Sequence, residues 1–328
     1  MPLASIGDSF DAFFDAVGDF FGSLAAIQWL ALFPALFAFL VYLTLRARAS
    51  FNILRAAYPD ERIQFRFIWG AYMAGYGFNA VVPARGGDVV RLFLTKTSVP
   101  NSSYPAVAAA FTVELIFDLC MAIPILAFAF TQGVFPKPPD FSKLPAFDLA
   151  FFAGHPQFTL FLITVAGIAT IVAFALLSAR VKRFWERVRQ GLTILFDRRR
   201  YFREVFAIQF VGWLFRFTAF FLLLEAFNVG GSVRNVLLVL GVNAVAALVP
   251  FTPGGAGVQQ ALLVKVFAGT ATGATVAAYS VGQQIAIAAV TFGAGFAALF
   301  FLFRIRSFKE VIAQGRAARV EDEQPQTA

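Results

Sequence analysis

The sequence predicts an all-α, polytopic integral membrane protein built as an inverted-topology repeat with two re-entrant helical hairpins. Three observations carry this expectation. Of 328 residues, 59% are hydrophobic and only 14% charged, too few polar groups to cover a soluble surface. Five apolar runs are long enough to cross a hydrocarbon core of about 30 Å: Ile27–Leu45, Pro105–Thr131, Phe158–Ser178, Val205–Asn228 and Val276–Phe303. Two further apolar stretches are broken at matched places by Gly and Pro. The first reads Gly77-Phe78-Asn79-Ala80-Val81, then Pro83-Ala84-Arg85-Gly86-Gly87-Asp88. The second reads Gly241-Val242-Asn243-Ala244-Val245, then Pro250-Phe251-Thr252-Pro253-Gly254-Gly255-Ala256-Gly257. Matched interruptions in two halves of a membrane protein point to a transporter-type site near the bilayer midplane. The apolar runs do not alternate with polar residues, which excludes a β-barrel.

Taken in order, residues 1–26 form an acidic amphipathic segment. Asp8, Asp11, Asp15 and Asp19 lie opposite Phe10, Phe13, Phe14 and Val17, and Lys and Arg are absent. The transmembrane domain spans 27–305, with a first repeat over about 27–131, a linker span at 157–178 and a second repeat over about 205–303. Residues 306–328 form a polar cytoplasmic tail. No basic region precedes a hydrophobic core near Met1, so no cleaved signal peptide is expected.

Charge orients these segments. Arg46, Arg48, Arg55, Arg62 and Arg66 follow the first span, a dense basic run from Arg180 to Arg203 precedes the fourth, and Arg304, Arg306 and Lys309 follow the last. These are the cytoplasmic segments of a multi-pass cytoplasmic-membrane protein, with the N-terminus outside and the C-terminus inside. The net charge of +8 therefore reads as topology and contact with anionic lipid rather than nucleic-acid binding. The interrupted arms Phe67–Val82, Val89–Val99, Val233–Val249 and Val258–Gly269 are about 24, 17, 26 and 18 Å long as helices, each short of the core thickness. The first pair dips in from the cytoplasm and the second from the exterior. The downstream arms also align, Gly86 through Lys96 with Gly255 through Lys265.

Two constellations could carry chemistry. Gly86-Gly87 and Gly254-Gly255 would present backbone N–H groups at helix N-termini, a cradle for a phosphate, with Arg85 and Arg91 beside the first pair. The alternative is that the glycines permit close helix packing and the arginines reach for headgroups. Glu114 and Asp118 lie four residues apart on one face of an apolar span, and Arg216 occupies the middle of the corresponding span in the other half. They read either as a salt bridge joining the halves or as a substrate or proton pathway. Gln259, Gln260, Gln283 and Gln284 read as interhelical hydrogen bonds or headgroup contacts. One cysteine, Cys120, and one histidine, His155, cannot build a metal or haem site, so no cofactor is expected.

Asn79, Pro83, Arg85, Gly86, Asp88 and Arg91 resemble the N…P-x-R-x-G-E-x-x-R pattern of the lysylphosphatidylglycerol synthase transmembrane-region family. Thr252-Pro253-Gly254-Gly255-Ala256-Gly257 is similar to its T-P-G-G-x-G signature, and Glu114 with Asp118 to its E-R-x-x-D element. The chain departs from the family at Asp88 for Glu, at Leu115 for Arg, and at Gln259-Gln260 for Arg-Glu. The resemblance implies movement of a lipid or lipid-linked, phosphate-bearing headgroup. Asn79, Arg85, Gly86, Gly87, Asp88, Arg91, Asn243, Thr252, Gly254, Gly255 and Gln260 are its candidate contacts. Aminoacyl transfer requires a large soluble domain and is not expected, and no Walker-type loop for ATP is present. The expected partners are a membrane phospholipid or polyprenyl-phosphate lipid, with lipid- or glycan-synthesis enzymes as candidates. A membrane-embedded enzyme and a non-catalytic scaffold are the alternatives to a flippase-like transporter.

Overall fold

Long apolar runs with few helix breakers have one way to satisfy their backbone in lipid, which is to hydrogen-bond it within each segment. The structure, a computed structural model, describes residues 22, 25–79, 86–132, 184–246 and 258–304. Those residues form helices and turns, with no strand among them. Helix α1 runs Trp29–Ala57, α2 Phe65–Asn79, α3 Gly86–Ser98 and α4 Tyr104–Thr131. A short helix α5 covers 184–191. Then come α6 at Arg198–Ala226, α7 at Val233–Ala246, α8 at Val258–Val266 and α9 at Gly273–Phe301. The linker span at 157–178, the N-terminal segment up to Phe21, and the tail at 306–328 lie outside the described residues.

Among the described residues four helices, α1, α4, α6 and α9, are long and apolar enough to cross a membrane. Within the described residues α2, α3, α7 and α8 run 15, 13, 14 and 9 residues, about 14 to 23 Å. Local signals set the ends. Ser103 holds the extended backbone of an N-cap and Pro105 follows in the first turn of α4, where a missing N–H costs nothing. The Thr272 hydroxyl accepts from the Thr275 N–H and opens α9. Helix α1 continues well past the apolar run that ends at Leu45, because Arg46 and Ser50 are buried against protein.

The first helices of the two repeats are antiparallel. At one end of the α1–α6 contact the Gln28 N–H donates to the Ala226 carbonyl at 2.9 Å. At the other end Asn52 Nδ2 donates to the Glu204 carbonyl at 2.8 Å. Between them a Cβ on Gly212 would stand 3.3 Å from Leu45 Cβ. Helices α1 and α6 therefore run in opposite directions along one another.

Each repeat also lends its first hairpin arm to the last span of the other. Helix α2 packs on α9, and α7 packs on α4. The glycine of the repeated Gly-x-Asn-Ala-Val element makes both approaches possible. A Cβ on Gly77 would lie 2.6 Å from the Thr291 carbonyl of α9, and one on Gly241 would lie 2.7 Å from Ala129 Cβ of α4. Both glycines stand where a side chain would hold the helices apart.

Candidate functional site

The asparagine two residues after each of these glycines faces the opposite way, toward its own hairpin. Asn79 Nδ2 donates to Asp88 Oδ1 at 2.8 Å, and Asn79 Oδ1 accepts from the Gly87 N–H at 2.8 Å. In the second hairpin Asn243 Oδ1 accepts from Gln259 Nε2 at 2.7 Å. Each asparagine therefore ties the two arms of its hairpin together. The tips themselves, including Arg85, Thr252, Gly254 and Gly255, lie outside the described residues.

Gly87 corrects one expectation. The sequence reading offers its N–H to a phosphate, but Asn79 already takes it. A Cβ on Gly87 would stand 2.0 Å from the Gly75 carbonyl, so this glycine lets α2 and α3 touch. Close packing, the alternative raised from sequence, is the geometry found here.

Glu114 and Asp118 do face one another's neighbours on one side of α4, but Arg216 is not their partner. Their cations come from within the first repeat. Arg46 of α1 spans both carboxylates: Nη1 donates to Asp118 Oδ1, and Nη2 reaches Asp118 Oδ2 at 2.9 Å and Glu114 Oε2 at 3.4 Å. Its Nε donates to the Tyr72 hydroxyl of α2 at 3.0 Å. Arg91 of α3 donates to Glu114 Oε1 and, at 2.9 Å, to Ser50 Oγ of α1. The Arg91 guanidinium is also flanked by aromatic rings, with Tyr72 and Phe111 centroids at 4.1 and 3.9 Å. Helices α1, α2, α3 and α4 thus meet at one set of side chains.

Two guanidiniums and two carboxylates cancel. A buried charge is tolerated when it is paired and its remaining hydrogen-bonding capacity is met, and these four satisfy one another. The cluster is graded in exposure. The Glu114 side chain is 3% exposed and that of Asp118 is 40% exposed. Arg91 is consequently a cross-link between the returning hairpin arm and the spans α1 and α4.

Arg216 lies elsewhere on α6, its guanidinium 5.7 and 5.9 Å from the Tyr42 and Phe220 ring centroids. It makes no ion pair among the described residues. Arg46 of α1 projects into the cluster instead. Arg46, Ser50, Tyr72 and Phe111 were missed from sequence. Arg46 was counted among the topological arginines that follow the first span. A signal was available in Arg46 and Ser50, polar residues four apart and so on one face of a helix.

In the second repeat the glutamines meet one another. Gln284 Nε2 donates to Gln259 Oε1, and Gln260 Nε2 donates to Gln284 Oε1 at 2.9 Å. With Asn243 these amides link α7, α8 and α9, which is the interhelical reading of those residues. Gln283 stays outside this chain of bonds.

The fold and its apolar spans define a multi-pass helical membrane protein. The chain belongs to the family described as the lysylphosphatidylglycerol synthase TM region, which matches residues 12–295. It is thus a membrane protein of a lipid-related family. No curated protein and no solved structure gives a significant match to the chain.

Proposed function

We propose that the chain moves a phosphate-bearing lipid headgroup, of a phospholipid or a polyprenyl phosphate, between the leaflets of the cytoplasmic membrane without ATP. The observation that supports this best is the exchange of neighbours between the two halves, in which the first arm of each short helical pair packs on the last span of the other half. Rocking of one half on the other then moves both hairpins in concert, one opening to each side. In this reading the hairpins are re-entrant, with tips near 83–88 and 253–257, and the arginine-rich segments face the cytoplasm.

Arg85, Gly86 and the Thr252-Pro253-Gly254-Gly255 tip make the first contacts with the phosphate. Arg91 joins them by exchanging the Glu114 carboxylate for phosphate, one anion replacing another while Glu114 remains with Arg46. Both carboxylates are held by guanidiniums, which favours a positioning role over that of a general base and so favours a carrier over an enzyme.

Vesicles containing purified protein and a trace of NBD-labelled phosphatidylglycerol test this reading. Dithionite added outside bleaches only the outer leaflet of protein-free vesicles. In protein-containing vesicles, without ATP, nearly all of the label should be lost. Bleaching that stops at the outer-leaflet fraction in the presence of folded protein contradicts it.

A further inference from the structure

The cluster around Glu114 balances only while it is closed. Its two cations sit on different elements, Arg46 on the first span and Arg91 on the returning arm of the first hairpin. Arg46 is held on three sides, by both carboxylates and by the Tyr72 hydroxyl. Among the described residues Arg91 meets one carboxylate, and its other hydrogen bond goes to the neutral Ser50 hydroxyl. Arg91 is therefore the cation that a competing anion can draw away.

Its departure leaves Glu114 and Asp118 on a single guanidinium. The other titratable groups coupled to this set are Tyr42 of α1, Tyr72 of α2, Tyr201 of α6 and, through Tyr201, Cys120 of α4 itself. None of them is a cation, so none can take the place of Arg91. Arg46 does not serve both carboxylates equally, since its Nη2 stands 2.9 Å from Asp118 Oδ2 but 3.4 Å from Glu114 Oε2. The Glu114 side chain is 3% exposed, too deep for water to replace what it loses. A buried carboxylate without its counter-charge takes a proton rather than staying ionised, and two carboxylates in one site titrate as a pair.

We propose that Glu114 and Asp118 form a proton-binding site coupled to the first hairpin. When Arg91 passes to a lipid phosphate, the pair takes one proton from water onto a carboxylate oxygen, and it releases that proton when Arg91 returns. Asp118, with its side chain 40% exposed, is the edge at which the proton enters. No other bond forms or breaks, and both guanidiniums keep their charge. By reciprocity, a proton supplied to the pair loosens Arg91 and favours the loaded state. This rests on the translocation reading for the phosphate that draws Arg91 away, and it adds the ion to which loading is coupled. In that reading Arg85 also meets the phosphate, which leaves the number of cations on the carboxylates unchanged.

Isothermal titration calorimetry of the full chain in detergent counts the protons. The probe is dioctanoyl phosphatidylglycerol, whose phosphodiester does not titrate near neutrality. A His155→Gln background removes the chain's one histidine as a competing source. Heats measured near pH 7 in two buffers of different ionisation enthalpy should show uptake of about one-half to one proton per lipid bound. The Kd should weaken by up to about tenfold per unit as pH rises, the direction required when the loaded state carries the extra proton. In Asp118→Asn, Arg46 alone balances Glu114 after Arg91 leaves, so uptake should vanish and the Kd should no longer follow pH. Should that variant not fold, the proton count on the parent chain decides alone. Lipid binding without proton uptake overturns the inference and leaves the translocation reading standing. Uptake that survives Asp118→Asn overturns it as well, and no lipid binding at any pH sinks both. If proton-linked binding is seen but no labelled lipid crosses reconstituted bilayers, the site stands and the translocation reading falls.

Discussion

Arg91, on the returning arm of the first hairpin, donates to the same Glu114 carboxylate that Arg46 of the first span also holds. One buried oxygen pair therefore fixes the hairpin to two spans of its own repeat. The cluster is neutral as a whole, so any single neutralisation leaves an uncompensated charge inside the bundle.

Glu114→Gln should destabilise the protein by about 3–5 kcal/mol, because Arg46 and Arg91 would then face Asp118 alone. Adding Arg91→Gln should restore part of that loss, since the remaining Arg46–Asp118 pair is balanced. Thermal unfolding of the single and double variants in detergent measures the coupling. Additive losses would show that the two residues do not share the cluster.

Arg216 should behave differently from Arg46. Its described contacts are two ring faces, worth about 0.5–2 kcal/mol between them, so Arg216→Leu is expected to cost no more than that. Arg46→Leu removes the partner of both carboxylates and should cost about 3–5 kcal/mol. Parallel unfolding curves settle the ranking, and equal losses would contradict it.

These two arginines also show what was legible in the sequence. The all-helical, multi-pass fold was, because long apolar runs that do not alternate with polar residues can satisfy their backbone in lipid only as helices. The acidic half of the cluster was legible too, since two carboxylates one turn apart in an apolar helix have few places to go. Their partner was not. Topological and buried arginines look alike in a sequence, and only the packing of α1 against α2 and α4 separates Arg46 from its neighbours. Likewise, the demand that Asn79 places on the Gly87 N–H arises from the closeness of two helix arms, which spacing alone does not reveal.

Asn79→Ala and Asn243→Ala should loosen their own hairpins selectively. Asn79 makes two cross-arm hydrogen bonds and Asn243 makes one to Gln259, each worth about 1 kcal/mol. Amide hydrogen exchange should speed up at the start of α3 in the first variant and of α8 in the second, more strongly in α3. Unchanged protection would remove the asparagines as hairpin ties.

The paired glycines should differ in tolerance. At Gly77 a new Cβ meets backbone, the Thr291 carbonyl at 2.6 Å and Phe292 Cα at 2.9 Å. At Gly241 it meets the Ala129 side chain, while the Ala129 Cα stays 3.8 Å away. Gly77→Ala should therefore lower the unfolding temperature more than Gly241→Ala does, and the reverse order would show that α2 and α9 can separate freely.

The rocking of one repeat on the other is tested most directly by locking them. A Cβ on Gly70 of α2 would stand 3.4 Å from Ala298 Cβ of α9, close to the separation a disulfide bridges. In a Cys120→Ala background, Gly70→Cys with Ala298→Cys joins the first hairpin to the last span of the opposite repeat. Oxidised protein in vesicles should move NBD-labelled phosphatidylglycerol no faster than protein-free vesicles do, and dithiothreitol should restore the wild-type rate. Movement at the wild-type rate with the disulfide fully formed would contradict the mechanism.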